Sequence, residues 1–305
     1  MMPRADGSAI RPALPRFKLA ALVEDTGTPH IEITHAGLRS GAGAFLKALP
    51  SNIEALREEN MSELRNYQSR TGQTQSATMI DEGLRAYMLK VYNLMALGLA
   101  ITGIAAFATF QMAVSNGELT AFGQAIFLSP LKWVVILAPV AMVFFLSFRI
   151  HKMSVAAAQT TFWVYAAMMG LSLSSIFLIY TGASIVQTFF VTAASFGALS
   201  LYGYTTKRDL SAMGSFLMMG LFGLIIASLV NLFMASSALD FAISVIGVLI
   251  FAGLTAYDTQ SIKESYHESH SSEMAGRNAI MGALRLYLDF INLFLFLLRF
   301  LGNRE

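Results

Sequence analysis

The chain has 305 residues, 55% of them hydrophobic and only 13% charged, with a mean hydropathy of +0.57. A water-soluble domain carries about 25% charged residues, so the composition excludes a soluble enzyme and a disordered chain. A formal charge of +2 excludes a nucleic-acid binder, and the absence of cysteine excludes disulfide scaffolds, thiol catalysis and cysteine-based metal sites.

Residues 1–60 are ordinary and polar, and they hold five of the seven prolines (Pro3, Pro12, Pro15, Pro29, Pro50). A weakly amphipathic stretch from Phe45 to Leu56 is interrupted by Pro50. The composition predicts a poorly ordered extension, or a start assigned too early, because Met61 opens a sensible second beginning. Residues 61–85 read as a polar cytosolic lead-in, and 86–305 as the membrane domain.

Apolar runs near the ~20 residues that cross a bilayer then follow at about 91–112, 131–149, 156–179, 183–202, 213–235, 239–258 and 282–301. They are continuous, without the alternation of a membrane barrel. Inside lipid the backbone must satisfy its own hydrogen bonds, so the runs predict helices. The fold class is an all-α polytopic membrane protein with seven transmembrane helices. Pro139 should kink span 2. Gln111, Gln159, Gln187 and Asn231 are expected in hydrogen bonds between helices. The paired small residues (Gly98 and Gly103, Gly220 and Gly223, Gly247 and Gly253, and Gly170 with its serines) are expected to pack.

Basic residues set the orientation. Arg65, Arg70, Arg85 and Lys90 precede span 1. Arg149 and Lys152 follow span 2, Lys207 and Arg208 follow span 4, and Lys263, Arg277 and Arg285 surround the 6–7 connection. The 3–4 and 5–6 links have none. The pattern predicts a cytoplasmic N-terminus and seven crossings. Arg299 and Arg304 run against it, and a re-entrant last segment is the alternative.

Only two carboxylates fall within or against apolar runs, Asp258 and Asp289. Such groups are expensive in lipid and are functional candidates. Counted from Leu239, Asp258 lies about 19 residues along span 6, roughly 28 Å of rise. Asp289 lies about one to two turns into span 7 counted from Ala283. Both therefore belong at similar depth near the cytosolic face. Arg285, Asp289, Asn292 and Arg299 share an arc of about 80° on span 7, interrupted by Phe296. Arg285 is four residues before Asp289, within reach of an ion pair, and Arg149 lies at the same level. Two carboxylates in contact share one proton and titrate as a unit, which would make a pH-sensitive latch. Deprotonated, they need separation, an arginine or a hard cation such as Ca2+. The bland alternative is an arginine-paired packing site without transport. No obligatory cofactor is expected. His267 and His270 have an HxxH spacing but lie in a polar loop, His151 marks the membrane surface, and His30 and His35 lie in the extension.

GLTAYDTQSIKESY (253–266) and ALRLYLDFINLFLFLLRFLGNRE (283–305) resemble the signature ends of the Bax inhibitor-1 family, including its bacterial YccA-like and YetJ-like members. The resemblance covers about 85 to 305, including FFLSFRIHK at the end of span 2. It implies six helices around a central seventh and a pH-dependent calcium leak of the bacterial inner membrane. By motif, Asp258 of AYDTQ and Asp289 of LYLDF match the di-aspartyl pair, and Arg149 of SFR matches its arginine latch. Where the bacterial calcium-leak member carries a glutamate in mid-helix 2, this chain reads LAPVAM with Pro139, which removes an acidic ligand or counter-charge. YccA-like members imply a second role as modulators of the FtsH-type membrane-bound AAA protease.

Three functions compete. One is the calcium leak or exchanger, whose partners are the bilayer, Ca2+ and protons. Another is an interaction protein of a membrane protease, gripped by its polar N-terminal region. The third is an intramembrane aspartyl protease, which Tyr257–Asp258 suits. Asp289 follows Arg-Leu-Tyr-Leu rather than the glycines that would let the backbone open to substrate, so no enzyme activity is expected.

Overall fold

The computed structural model describes residues 51–267 and 271–303, with side chains from Glu82 onward. The extension up to Pro50, with His30 and His35, and likewise His270 and Arg304, lie outside the described residues.

Seven helices are long and apolar enough to cross a membrane. Span 1 is Glu82–Ala113, the last part of a helix assigned from Ser51. The others are span 2, Leu131–Lys152, span 3, Val155–Leu178, span 4, Gly182–Thr205, span 5, Ser211–Met234, span 6, Ser237–Glu264, and span 7, Ser272–Leu301. Local chemistry starts several of them. Ser154, Thr181, Ser236 and Ser271 each accept a hydrogen bond from the backbone N–H three residues on, opening spans 3, 4, 6 and 7. Between spans 1 and 2, Val114–Ser115 (β1) pairs with Glu118–Leu119 (β2). Asn116 and Gly117, both at positive φ (54° and 80°), make the two-residue turn that this hairpin needs.

The polar ends lengthen the helices beyond their apolar runs. Span 6 continues past Asp258 to Glu264, and span 7 starts at Ser272 rather than near residue 282. Asp289 therefore lies 17 residues after Ser272 (289 − 272), roughly 25 Å of rise, deeper in its helix than the apolar run alone implied. The helix of span 2 is assigned without interruption through the buried Pro139, whose ring leaves the carbonyl of Val135 without its usual donor.

Span 7 is the most enclosed helix and packs against spans 3, 4 and 6. Tyr287, Phe290 and Phe294 on one side of it join a core with Phe162 and Tyr165 of span 3 and Phe196 of span 4. Span 6 packs against spans 4, 5 and 7. Span 5 leaves Phe216, Phe222, Ile226 and Leu229 exposed, as a lipid-facing helix should. At the end of span 7, Asn303 donates its backbone N–H to Ser184 Oγ (3.0 Å) and accepts from Thr181 N–H (3.2 Å). The last helix is thus unbroken, long enough for a full span, and ends beside the 3–4 link.

The glycines divide sharply. A Cβ at Gly170 would strike the span 1 backbone at Thr102, and one at Gly247 would meet the Phe296 ring at 2.6 Å. Gly98 and Gly253 are also tightly covered, whereas Gly103 and Gly223 face nothing within 4 Å. Gly203 and Gly214, which the paired-glycine pattern does not include, are as tight: Gly203 abuts the Ala256 carbonyl and Gly214 the Tyr257 ring.

Candidate functional site

Spans 6 and 7 form an antiparallel hairpin whose register can be followed residue by residue. Ile262 covers Gly282, Asp258 meets Asp289, Phe251 stacks on Phe296 (5.8 Å between centroids), and Asp240 pairs with Arg299 at 3.6 Å. The polar arc of span 7 is therefore its face toward span 6. Phe296, which interrupts the arc in sequence, supplies the packing between two polar contacts. Arg299, contrary to the basic-residue pattern, has a counter-charge at the end of the hairpin away from the aspartates.

The signature at the end of span 6 distributes its side chains over several neighbours. Tyr257 lies over Gly214 of span 5. Asp258 turns to span 7. Thr259 shares a hydrogen bond with Ser200 of span 4 (2.9 Å), and Ser200 shares another with Tyr92 of span 1 (2.7 Å). Gln260 clamps the 4–5 connection, donating to the Arg208 carbonyl and accepting from Leu210 N–H, both at 2.8 Å. Lys263 donates to the Tyr204 carbonyl at 2.7 Å, capping span 4. Consecutive helical residues point about 100° apart, so about two turns anchor span 6 to spans 4, 5 and 7 and to the 4–5 connection.

Across the hairpin the carboxyls of Asp258 and Asp289 lie close enough to act on one another electrostatically and to share a hydrogen bond. A bond between two carboxyls exists only when one carries a proton, which it donates to the other. Asp289 is 4% exposed, and its Oδ2 is buried with no hydrogen-bond partner. Arg285 is exposed and forms no ion pair among the described residues, so the expected i,i+4 pair with Asp289 is absent. Its charge still acts electrostatically on both carboxyls and on Tyr87. Arg149 is exposed at the end of span 2 and forms no ion pair among the described residues. No group of three His, Asp or Glu side chains suited to a metal occurs among the described residues. Asp258 and Asp289 together offer four carboxylate oxygens, so a calcium ion there, which takes six to eight, would complete its shell with water or carbonyls.

The polar links between helices differ from those expected. Gln111 and Gln187 are exposed, and they and Gln159 make no hydrogen bond among the described residues. Asn231 accepts from Ser236 N–H within its own turn (3.0 Å). Hydroxyls make several of the connections, beside those of Gln260 and Lys263. Besides the Tyr92–Ser200–Thr259 chain, Thr102 and Tyr287 hydroxyls meet at 2.7 Å between spans 1 and 7. Tyr165 lies against Tyr287, fully buried, with its hydroxyl unpartnered. The signal for these is present as Ser, Thr and Tyr inside apolar runs, but such residues also bond to their own helix backbone, and the sequence does not say which will cross.

The boundaries of the resemblance agree with comparisons to known proteins. The family described as inhibitor of apoptosis-promoting Bax1 matches residues 84–305. An uncharacterized protein of Rickettsia prowazekii, RP147, is 54% identical over 227 residues, covering 74% of this chain and 92% of the relative. The inner membrane protein YbhL of Escherichia coli is 48% identical over 225 residues, covering 73% and 94%. An uncharacterized protein of Caulobacter vibrioides is 48% identical over 235 residues, covering 74% and 92%.

Proposed function

The chain belongs to the Bax inhibitor-1 family, and from that membership we propose that it is a pH-sensitive calcium leak channel or exchanger of the bacterial inner membrane, gated by a di-aspartyl latch between spans 6 and 7. The observation that carries this reading is the pairing of Asp258 with Asp289, the latter buried with one oxygen lacking a donor. With one shared proton the pair clamps the hairpin. When that proton leaves, two negative charges in a low-dielectric setting repel, and separation, an arginine or a cation must relieve them. Arg285 is the nearer counter-charge, and Arg149 is the one that reaches the pair when the helices shift.

Calcium is the cargo. With two carboxylates and no third acidic or histidine ligand among the described residues, the site suits passage of a partly hydrated ion better than tight retention. The N-terminus is cytoplasmic in this reading, by the distribution of Lys and Arg. No catalytic role is assigned.

The test is calcium flux in liposomes across a pH series for the wild type, Asp258→Asn and Asp289→Asn. The wild type should respond to pH and both variants should respond much less. Identical, pH-independent flux in all three overturns the reading. It leaves the interaction protein of a membrane-bound AAA protease, which crosslinking from native membranes would recover.

A further inference from the structure

We propose that the cavity between the connected ends of spans 6 and 7 binds a phosphate-class oxyanion through Arg285, Asn278 and Ser261. The cavity holds about 140 Å³, lined by these three residues with Ser265, Ile262 and Met281. That is the liquid volume of about five waters, enough for one small oxyanion.

The chemistry of the lining selects the charge of its occupant. A guanidinium presents five N–H donors, an amide two and a hydroxyl one. Among the described residues the side chains of Arg285, Asn278 and Ser261 have no hydrogen-bond or ion-pair partner. Ser265 already donates to the Ile262 carbonyl at 2.7 Å. Among the described residues no carboxylate lines the cavity, and arginine keeps its charge at every physiological pH. This lining favours an anion over a cation, and an anion over a neutral molecule, which would use the donors but not the charge. Asn278 and Arg285 stand two turns apart on one face of span 7, roughly 10 Å along the axis, a gap that the long arginine stem and one tetrahedral anion fill. The fork of the guanidinium favours two oxygens of one oxyanion over a halide.

The same chemistry has two sources, free phosphate and the phosphate of a lipid headgroup. Arg285 also acts electrostatically on Asp258 and Asp289, so an anion held here would screen that charge from the latch. This consequence rests on the proposed function. The binding does not, and it is measured without flux.

Thermal unfolding of the full chain in neutral detergent, titrated with inorganic phosphate at constant ionic strength against chloride, tests the soluble source. Unfolding in nanodiscs of phosphatidylglycerol against phosphatidylcholine tests the headgroup. In at least one arm the wild type should be stabilised, saturably in the phosphate titration. Arg285→Gln should weaken apparent phosphate affinity about tenfold or more, the loss of a charge-assisted contact, or abolish the phosphatidylglycerol advantage. Asn278→Ala should have a smaller effect of the same sign, and it carries the comparison if Arg285→Gln does not fold. Stabilisation in neither arm, or stabilisation unchanged in the variants, overturns the proposal.

Discussion

Asp289 lies against Asp258 with its Oδ2 oxygen buried and without a donor. Asparagine at either position supplies a permanent N–H donor of nearly the same shape. Asp289→Asn should therefore keep the hairpin clamped whatever the pH, while Asp289→Ala should remove the clamp. Flux measured at both ends of the pH series separates the two. Equal pH dependence in Asp289→Asn and the wild type contradicts the latch.

The Tyr92–Ser200–Thr259 chain ties spans 1, 4 and 6 together one residue from Asp258. Ser200→Ala removes the central hydroxyl and leaves Tyr92 without its partner, while Thr259 keeps its own bond to the Thr255 carbonyl (2.8 Å). Interhelical hydrogen bonds in membranes contribute about 1 kcal/mol, so Ser200→Ala should lower unfolding stability by about that much. Combined with Thr259→Val it should cost less than the sum of the single changes. Additive losses would show that the two hydroxyls act independently.

Gly203 and Gly103 make a matched pair. A Cβ at Gly203 collides with the Ala256 carbonyl, which is backbone and cannot swing aside, whereas one at Gly103 meets nothing within 4 Å. Gly203→Ala should cost about 1–3 kcal/mol by forcing spans 4 and 6 apart. Gly103→Ala should be neutral or stabilise by about 0.5–1 kcal/mol through helix propensity. Thermal unfolding of both variants in one detergent decides it, and similar values for the two would refute the packing argument.

Asp209 lies in the 4–5 connection, fully exposed, and accepts a hydrogen bond from Ser211 N–H at 2.8 Å. Hydrogen bonding to Ser211, by its side chain and its backbone, holds the carboxyl below the ordinary aspartate range. A depressed folded-state value means that the ionised group stabilises the fold above the unfolded-state range. That contribution is lost as the pH falls through the folded-state value. Asp209→Ala should be less stable than the wild type at neutral pH, and the difference should shrink below about pH 4. A difference that persists in strong acid would assign the effect to something other than this titration.

Much of the site is legible in the sequence. Asp258 and Asp289 stand out because few charges lie in the apolar runs, and the arc on span 7 is visible from helical period alone. The arc does not reveal that Phe296 belongs to it as a packing residue between two polar contacts, nor that Arg299 has Asp240 as a partner. Those depend on the register of the hairpin. The glutamines of the spans mislead for a related reason, since polarity says that a side chain needs water or a partner but not which face of its helix is covered.

The number of membrane-length helices, their order and the two intramembrane carboxylates follow from sequence, because the bilayer imposes a length and a polarity that each segment meets alone. Three things come only with the tertiary structure. They are the meeting of Asp258 with Asp289, the absence of an ion pair at Arg285, and the use of Ser, Thr and Tyr hydroxyls as links between helices. Each is a relation between two faces. Without a hydrophobic force to choose those faces inside lipid, close packing and hydrogen bonding choose them, and both depend on the whole set of neighbours at once.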